Sequence, residues 1–172
     1  MGQLVTLQPF EQEMATRLAE LANNPKIVAK MRDNFPHPYS ISDAYFWISF
    51  CNNQKNNQNV FRAILYHNEF VGGIGVLRGE DIYRNNAEIG YWLGEPYWGL
   101  NIMTEAVQQM TAWTFDNTDI TRLSAGIFET NPASMKVLEK AGYYLEAIHS
   151  KAILKYGEVF DEYLYVKLAP SF

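Results

Sequence analysis

The residues best placed to do chemistry in this sequence begin with Glu88 to Ala106, EIGYWLGEPYWGLNIMTEA. Its pattern predicts a strand ending at Leu93, a glycine-bearing turn around Gly99, and a helix that starts after Asn101. A helix start of that kind suits an anion. The first N–H groups have no partner inside the helix, the helix dipole adds positive charge, and glycine lets the backbone come close. The backbone of Trp98, Gly99, Leu100, Asn101, Ile102, Met103 and Thr104 is therefore the expected contact for a phosphate or diphosphate, with the Thr104 hydroxyl as one further donor. Taken alone, a strand, a turn and a helix with one glycine read more readily as an ordinary structural turn. Glu88 opens the strand, and the period of two places it on one face with Gly90 and Trp92. There it is either a general base acting through water or a solvated strand carboxylate.

The second segment is NPASMKVLEKAGY, residues 131–143. Asn131 is a good N-cap, Pro132 fits the first helical position, and Gly142 closes the helix. On its own this is a capped helix carrying the exposed Lys140.

Together, PYWGLNIMTEA and ITRLSAGIFETNPASMKVLEKAGY resemble the cofactor-binding core of the GNAT acetyltransferases, most of all the branch of ribosomal-protein N-terminal acetyltransferases. The similarity runs from about residue 60 to the C-terminus, and the first strand and helices stand in the expected order. The resemblance implies an α/β (α+β) GNAT fold, with a mixed, mostly antiparallel sheet of about seven strands flanked by about four helices. It implies acetyl-CoA as the acetyl donor, no metal, and direct transfer to a primary amine, either a protein N-terminus or a small molecule. By the same resemblance Tyr91, Trp92 and Leu93 lie along the cofactor. Their strand parts from the one beginning near Thr121 and frees backbone groups to pair with the pantetheine arm. Asn131 hydrogen-bonds that arm, Lys140 belongs to the same motif, and Ser134 either hydrogen-bonds the sulfur or merely packs on the helix.

The sequence departs from the family pattern in the loop and on the second helix. Pro96 and Asn101 hold the first and last places of the usual loop motif, with only Gly99 kept between them. Asparagine tolerates a left-handed backbone and caps helices well, so Asn101 is expected to preserve the loop. Leu138 stands where many members carry a tyrosine acid. These departures motivate a rival reading, a catalytically silent acyl-CoA-binding or regulatory domain. No strongly activated base is evident, which favours an amine of low basicity. An α-amine with a pKa of about 7.7–8.0 needs far less help than a lysine-like amine near 10.4.

The positioning elements follow from periodicity and breakers. Residues 3–8 form a strand and a helix follows from Glu11. A short helical piece starts at Pro25, a loop covers 33–40, and a helix capped by Ser42 or Asp43 comes next. The polar run 52–59 is a solvated connection. Then come a hairpin turning at Asn68 and Glu69, a third strand ending at Leu93, and a helix striped with Ile102, Ala106, Met110 and Trp113. The strand 121–128, the Asn131 helix and two last strands turning at 156–158 complete the order. Gly72, Gly73 and Gly75 sit inside a strand without a following helix, so they mark a bulge and not a dinucleotide site.

A chain of 172 residues with 48% hydrophobic and 19% charged residues fits one globular domain spanning 1–172. The net charge of −5 and the lack of a basic cluster exclude nucleic acid and anionic membranes as partners and favour a cationic substrate. A single cysteine, Cys51, is expected to be buried and inert, and forms no intrachain disulfide. Together with the lack of an apolar leader or a span-length stretch, this predicts a cytoplasmic protein, monomer or homodimer. His37, His67 and His149 stand too far apart in sequence for a metal motif. Asp161 is expected to tie down a turn.

Overall fold

A computed structural model describes residues 4–54 and 59–170. The connection expected over 52–59 falls partly on residues 55–58, outside the described residues. Strand β1 (Val5–Gln8) is followed by a 3-10 turn, helix α1 (Ala15–Ala22), the one-turn α2 (Pro25–Val28) and α3 (Ile41–Asn52). Strands β2 (Asn59–Tyr66), β3 (Glu69–Arg78) and β4 (Asn86–Leu93) form a meander. Helix α4 (Ile102–Asn117), β5 (Arg122–Phe128), α5 (Pro132–Lys140), β6 (Tyr144–Lys155) and β7 (Glu158–Leu168) complete the order. The described strands make one seven-stranded sheet in the order β1-β2-β3-β4-β5-β7-β6, antiparallel except between β4 and β5.

Local chemistry sets these boundaries. The β2–β3 turn is His67-Asn68, with φ of 51° and 67°, the pair of left-handed residues that a two-residue hairpin needs. Helix α3 starts earlier than expected. Its cap is Ser40, not Ser42 or Asp43, because Asp43 at the third helical position returns a hydrogen bond to the Ser40 N–H at 2.8 Å while the Ser40 hydroxyl accepts from the Asp43 N–H at 3.2 Å. Gly142, at φ 85°, ends α5 as expected, and the Tyr143 N–H reaches back to the Leu138 carbonyl at 2.9 Å. The expected bulge lies beside the glycines, at Val71, where the β2–β3 register shifts. Gly72 serves closeness, since a Cβ there would strike the Trp92 carbonyl oxygen.

Helices cover both faces of the sheet. Inward side chains of β2 to β5, among them Ile64, Val76, Ile89 and Leu123, pack with Ile102, Ala106 and Met110 of α4 and with Leu138 of α5. On the other face Phe61, Phe70 and Trp92 pack with Leu18 and Leu21 of α1 and Ile48 of α3. Cys51 is buried there, and burial holds its thiol well above the ordinary cysteine range. No helix of the described residues is long and apolar enough to cross a membrane.

The feature that creates a site is the parting of β4 and β5. They pair in parallel only at Asn86–Arg122, Ala87–Leu123 and Glu88–Ser124. Beyond those pairs β4 runs on to Leu93 and β5 to Phe128 without bonding each other, as expected. Facing backbone groups in the gap are left without a strand partner.

Candidate active site

The loop between β4 and α4 closes one end of this gap. Gly94 leads into a 3-10 turn at Glu95–Tyr97, and Gly99 (φ 77°) and Asn101 (φ 63°) are both left-handed, which turns the chain sharply into α4. Asn101 thus does the backbone work expected of it. Its side chain makes no capping hydrogen bond, however, because the left-handed backbone turns it away from the helix start. The loop is bolted down from several sides. The Trp98 indole donates to the Leu93 carbonyl at 2.8 Å, and Tyr97 OH accepts from Arg17 at 3.0 Å. Glu95 accepts from Lys26, and from Asn24 at 2.7 Å. Those two donors hold the Glu95 carboxyl below its ordinary range.

Between this loop, β4 and α5 lies a cleft of about 570 Å³, in the range of small-molecule sites. The structure brings nearly all the expected cofactor residues to its wall: Tyr91, Trp92 and Leu93 from β4, Trp98, Gly99, Asn101, Ile102, Met103 and Thr104 from the loop and α4, and Asn131, Ser134 and Lys140 from α5. Leu100 lies outside the lining and is 54% exposed, since the sharp turn throws it outward. The Asn131 side chain caps α5, accepting from the Ser134 N–H at 3.4 Å. Ser134 is buried, and its Oγ shares a hydrogen bond of 2.7 Å with Tyr91 OH. Leu138, where a tyrosine would stand in many family members, is fully buried in the core and meets no cleft.

Four lysines also line the cleft: Lys26, Lys30, Lys136 and Lys140. No aspartate or glutamate does, among the described residues. Lys26 is paired with Glu95 beside the cleft, and the remaining three lysines make the pocket locally cationic in a chain of net charge −5. Only Lys140 of the four was anticipated. The other three carry a faint signal in their spacing of four, 26 with 30 and 136 with 140, which puts two cations on one side of a helical turn.

The opposite face of the gap carries carboxylates. Glu88 does share a face with Gly90 and Trp92, but that face looks toward α1–α3, and Glu88 does not line the cleft. Its carboxylate is bound by Arg32. Sequence reasoning did not single out Glu162. This β7 residue lies against Gly126 so closely that a Cβ there would meet its carboxylate, and it hydrogen-bonds His149 at 2.8 Å. Gly126 follows Ser124, the last β5 residue paired with β4, so Glu162 borders the gap. The segment after α2 crosses this rim. Lys30 donates to the Thr130 carbonyl at 2.5 Å, and the buried Lys155 ammonium donates to the Met31 carbonyl and to Asp33 at 2.9 and 2.7 Å. Asp161 has the structural part expected of it, accepting from the Lys151 N–H at 2.7 Å where Lys151 is left-handed (φ 53°). Among the described residues no cluster of three or more His, Cys, Asp or Glu could hold a metal ion.

Comparison with known proteins gives this geometry a context. The model of the acetyltransferase (GNAT) domain family matches residues 5–144. The uncharacterized N-acetyltransferase p20 of Bacillus licheniformis is 26% identical over 163 residues, covering 94% of this chain and 90% of that protein. The putative ribosomal N-acetyltransferase YdaF of Bacillus subtilis is 28% identical over 145 residues, covering 83% of this chain and 79% of its own length. Among solved structures, RimL, a ribosomal L7/L12 alpha-N-protein acetyltransferase in complex with coenzyme A, superposes with a TM-score of 0.86 at 22% identity, covering 99% of this chain and 97% of that one.

Proposed function

Since the chain belongs to the GNAT acetyltransferase family and is an N-acetyltransferase, we propose that it moves the acetyl group of acetyl-CoA directly to an α-amine or a small amine of similar basicity. The observation that carries this reading is the four-lysine cleft built on the left-handed turn at Gly99 and Asn101. A diphosphate-bearing thioester is the ligand that such a cleft fits. Lysines offset its charge, the N–H groups opening α4 face an anion, and the parted strands offer backbone partners to an amide-rich arm. Relatives such as YdaF and RimL, whose names describe ribosomal substrates, support an α-amine as acceptor.

The residues divide the work by position. The backbone from Trp98 to Thr104 and the side chains of Lys136 and Lys140 hold phosphate, Asn131 and the exposed edge of β4 orient the arm, and Ser134 hydrogen-bonds the sulfur as it leaves. Proton removal from the amine falls to a carboxylate at the rim of the gap. Glu88 and Glu162 border it, and Glu162 is the stronger candidate because Glu88 is held by a permanently charged guanidinium, Arg32, whereas the partner of Glu162 is the imidazole of His149. An amine of pKa about 7.7–8.0 is mostly protonated at neutrality by only about one unit, roughly 1.4 kcal/mol, whereas a lysine-like amine faces more than three units.

Isothermal titration with coenzyme A, followed by thiol release from acetyl-CoA across peptides, amino acids and polyamines, tests the reading. Micromolar binding with turnover of peptide or low-pKa amines is expected. Binding without turnover of any amine, or turnover confined to polyamines and lysine side chains, would overturn it.

A further inference from the structure

The direction of the Tyr91–Ser134 hydrogen bond decides what Ser134 can offer the cleft. Tyr91 is partly buried on the cleft wall, and its OH has two protein acceptors in reach, Ser134 Oγ at 2.7 Å and the Ser134 carbonyl at 3.5 Å, the second too long for a good hydrogen bond. If the serine donated instead, that weak contact would be the only protein acceptor left to the phenol proton among the described residues. A phenol is also much the more acidic hydroxyl and the serine oxygen the better acceptor, which favours Tyr91 as donor and Ser134 Oγ as acceptor. Among the described residues Ser134 Oγ has no other hydrogen-bond partner, and Ser134 lines the cleft. That leaves the Ser134 proton free to point into the cleft.

We propose that Tyr91 is a positioning residue that turns the Ser134 hydroxyl proton toward the departing sulfur. The inference rests on the acetyl-CoA reading above. Burial holds the Tyr91 phenol well above the ordinary tyrosine range, so it stays a donor throughout the working pH range. A hydroxyl that accepts one hydrogen bond donates the next more strongly. In the reaction the amine nitrogen bonds the carbonyl carbon, the carbon–sulfur bond breaks, and sulfur leaves with the bonding pair while Ser134 hydrogen-bonds it. The amine sheds its proton to the rim carboxylate and on to solvent, and the sulfur takes one from solvent. Ser134 and Tyr91 end as they began. A thiol with a pKa near 8.5 is a fair leaving group, so one oriented hydrogen bond suffices where a full acid is absent at Leu138.

The test combines kinetics with titration of bound coenzyme A. Tyr91→Phe is expected to lower kcat about tenfold, the order of one hydrogen bond to a charged group, with KM for acetyl-CoA within about twofold. In a Ser134→Ala background the same change should cost nothing further. The thiol of bound coenzyme A, followed by the ultraviolet absorbance of its thiolate, should titrate at higher pH in Tyr91→Phe than in the wild type. An equal loss in both backgrounds, or an unchanged thiol titration, would overturn the inference while leaving the acetyl-CoA reading intact. Failure of the wild type to bind coenzyme A would sink both. If Tyr91→Phe does not fold, fluorotyrosine placed at position 91 should shift the bound-thiol titration to lower pH, and no shift would overturn the inference.

Discussion

Arg32 donates a charge-assisted hydrogen bond to Glu88, and Glu88 is the last residue of β4 still paired with β5. The two are 56 residues apart in sequence. Their contact ties the segment after α2 to the point where the sheet opens. Glu162 stands two strands away on β7, packed over Gly126 of β5, and among the described residues its carboxylate has only His149 as a side-chain partner.

The two carboxylates should therefore separate by substitution. Glu162→Gln is expected to lower kcat by about a hundredfold or more and to flatten the acidic limb of the kcat/KM profile, the signature of a lost general base. Glu88→Gln should cost less than about tenfold, chiefly through the loosened Arg32 contact. Steady-state kinetics of the two variants on one peptide substrate decides between them, and the reverse order would assign the base to Glu88.

Asn101 sits at φ 63°, where a side chain bearing a Cβ is strained. Asn101→Gly is expected to leave stability unchanged or slightly raised, whereas Asn101→Ala should cost about 1 kcal/mol. Urea unfolding measures both. Coenzyme A affinity should follow the same order, because the turn aims the first N–H groups of α4.

Leu138 is fully buried against the sheet, so restoring the family tyrosine there does not restore an acid. Leu138→Tyr overpacks the core and buries a hydroxyl, with an expected loss of about 1–3 kcal/mol and no gain in kcat. A rise in kcat would show that α5 can rotate that position into the cleft.

Glu95 has its carboxyl held below the ordinary 4.5, first by the Lys26 hydrogen bond and then by Asn24. A carboxyl lowered in the folded state stabilises it above that ordinary value and loses the effect as pH falls through the folded one. Wild-type stability should thus decline below about pH 4.5 more steeply than that of Glu95→Gln, seen by urea unfolding across pH. Because Glu95 anchors the loop between β4 and α4, coenzyme A binding should weaken in the same window.

Lys136 and Lys140 line the cleft on one side of α5. Replacing both by alanine should weaken coenzyme A binding by about tenfold or more at low salt and make the remaining affinity less sensitive to ionic strength. Isothermal titration at several salt concentrations reads both effects.

Much of the molecule was legible in its sequence because the governing forces are local. The left-handed turn at Asn101, the Asn131 cap, the Gly142 stop and the hairpin turns depend on residues a few positions apart, and strand periodicity predicted the meander before β4. Family motifs named most of the cleft wall, from Tyr91 to Lys140, although not the outward throw of Leu100. Tertiary structure alone decided which way each group faces and what holds it. Arg32 on Glu88, Glu162 against Gly126, the phenol of Tyr91 on Ser134 and the lysine strap of Lys30 and Lys155 join residues separated by 36 to 124 positions. Such contacts leave no periodic trace, because they arise only when the sheet and its two helical layers bring distant side chains within hydrogen-bond reach.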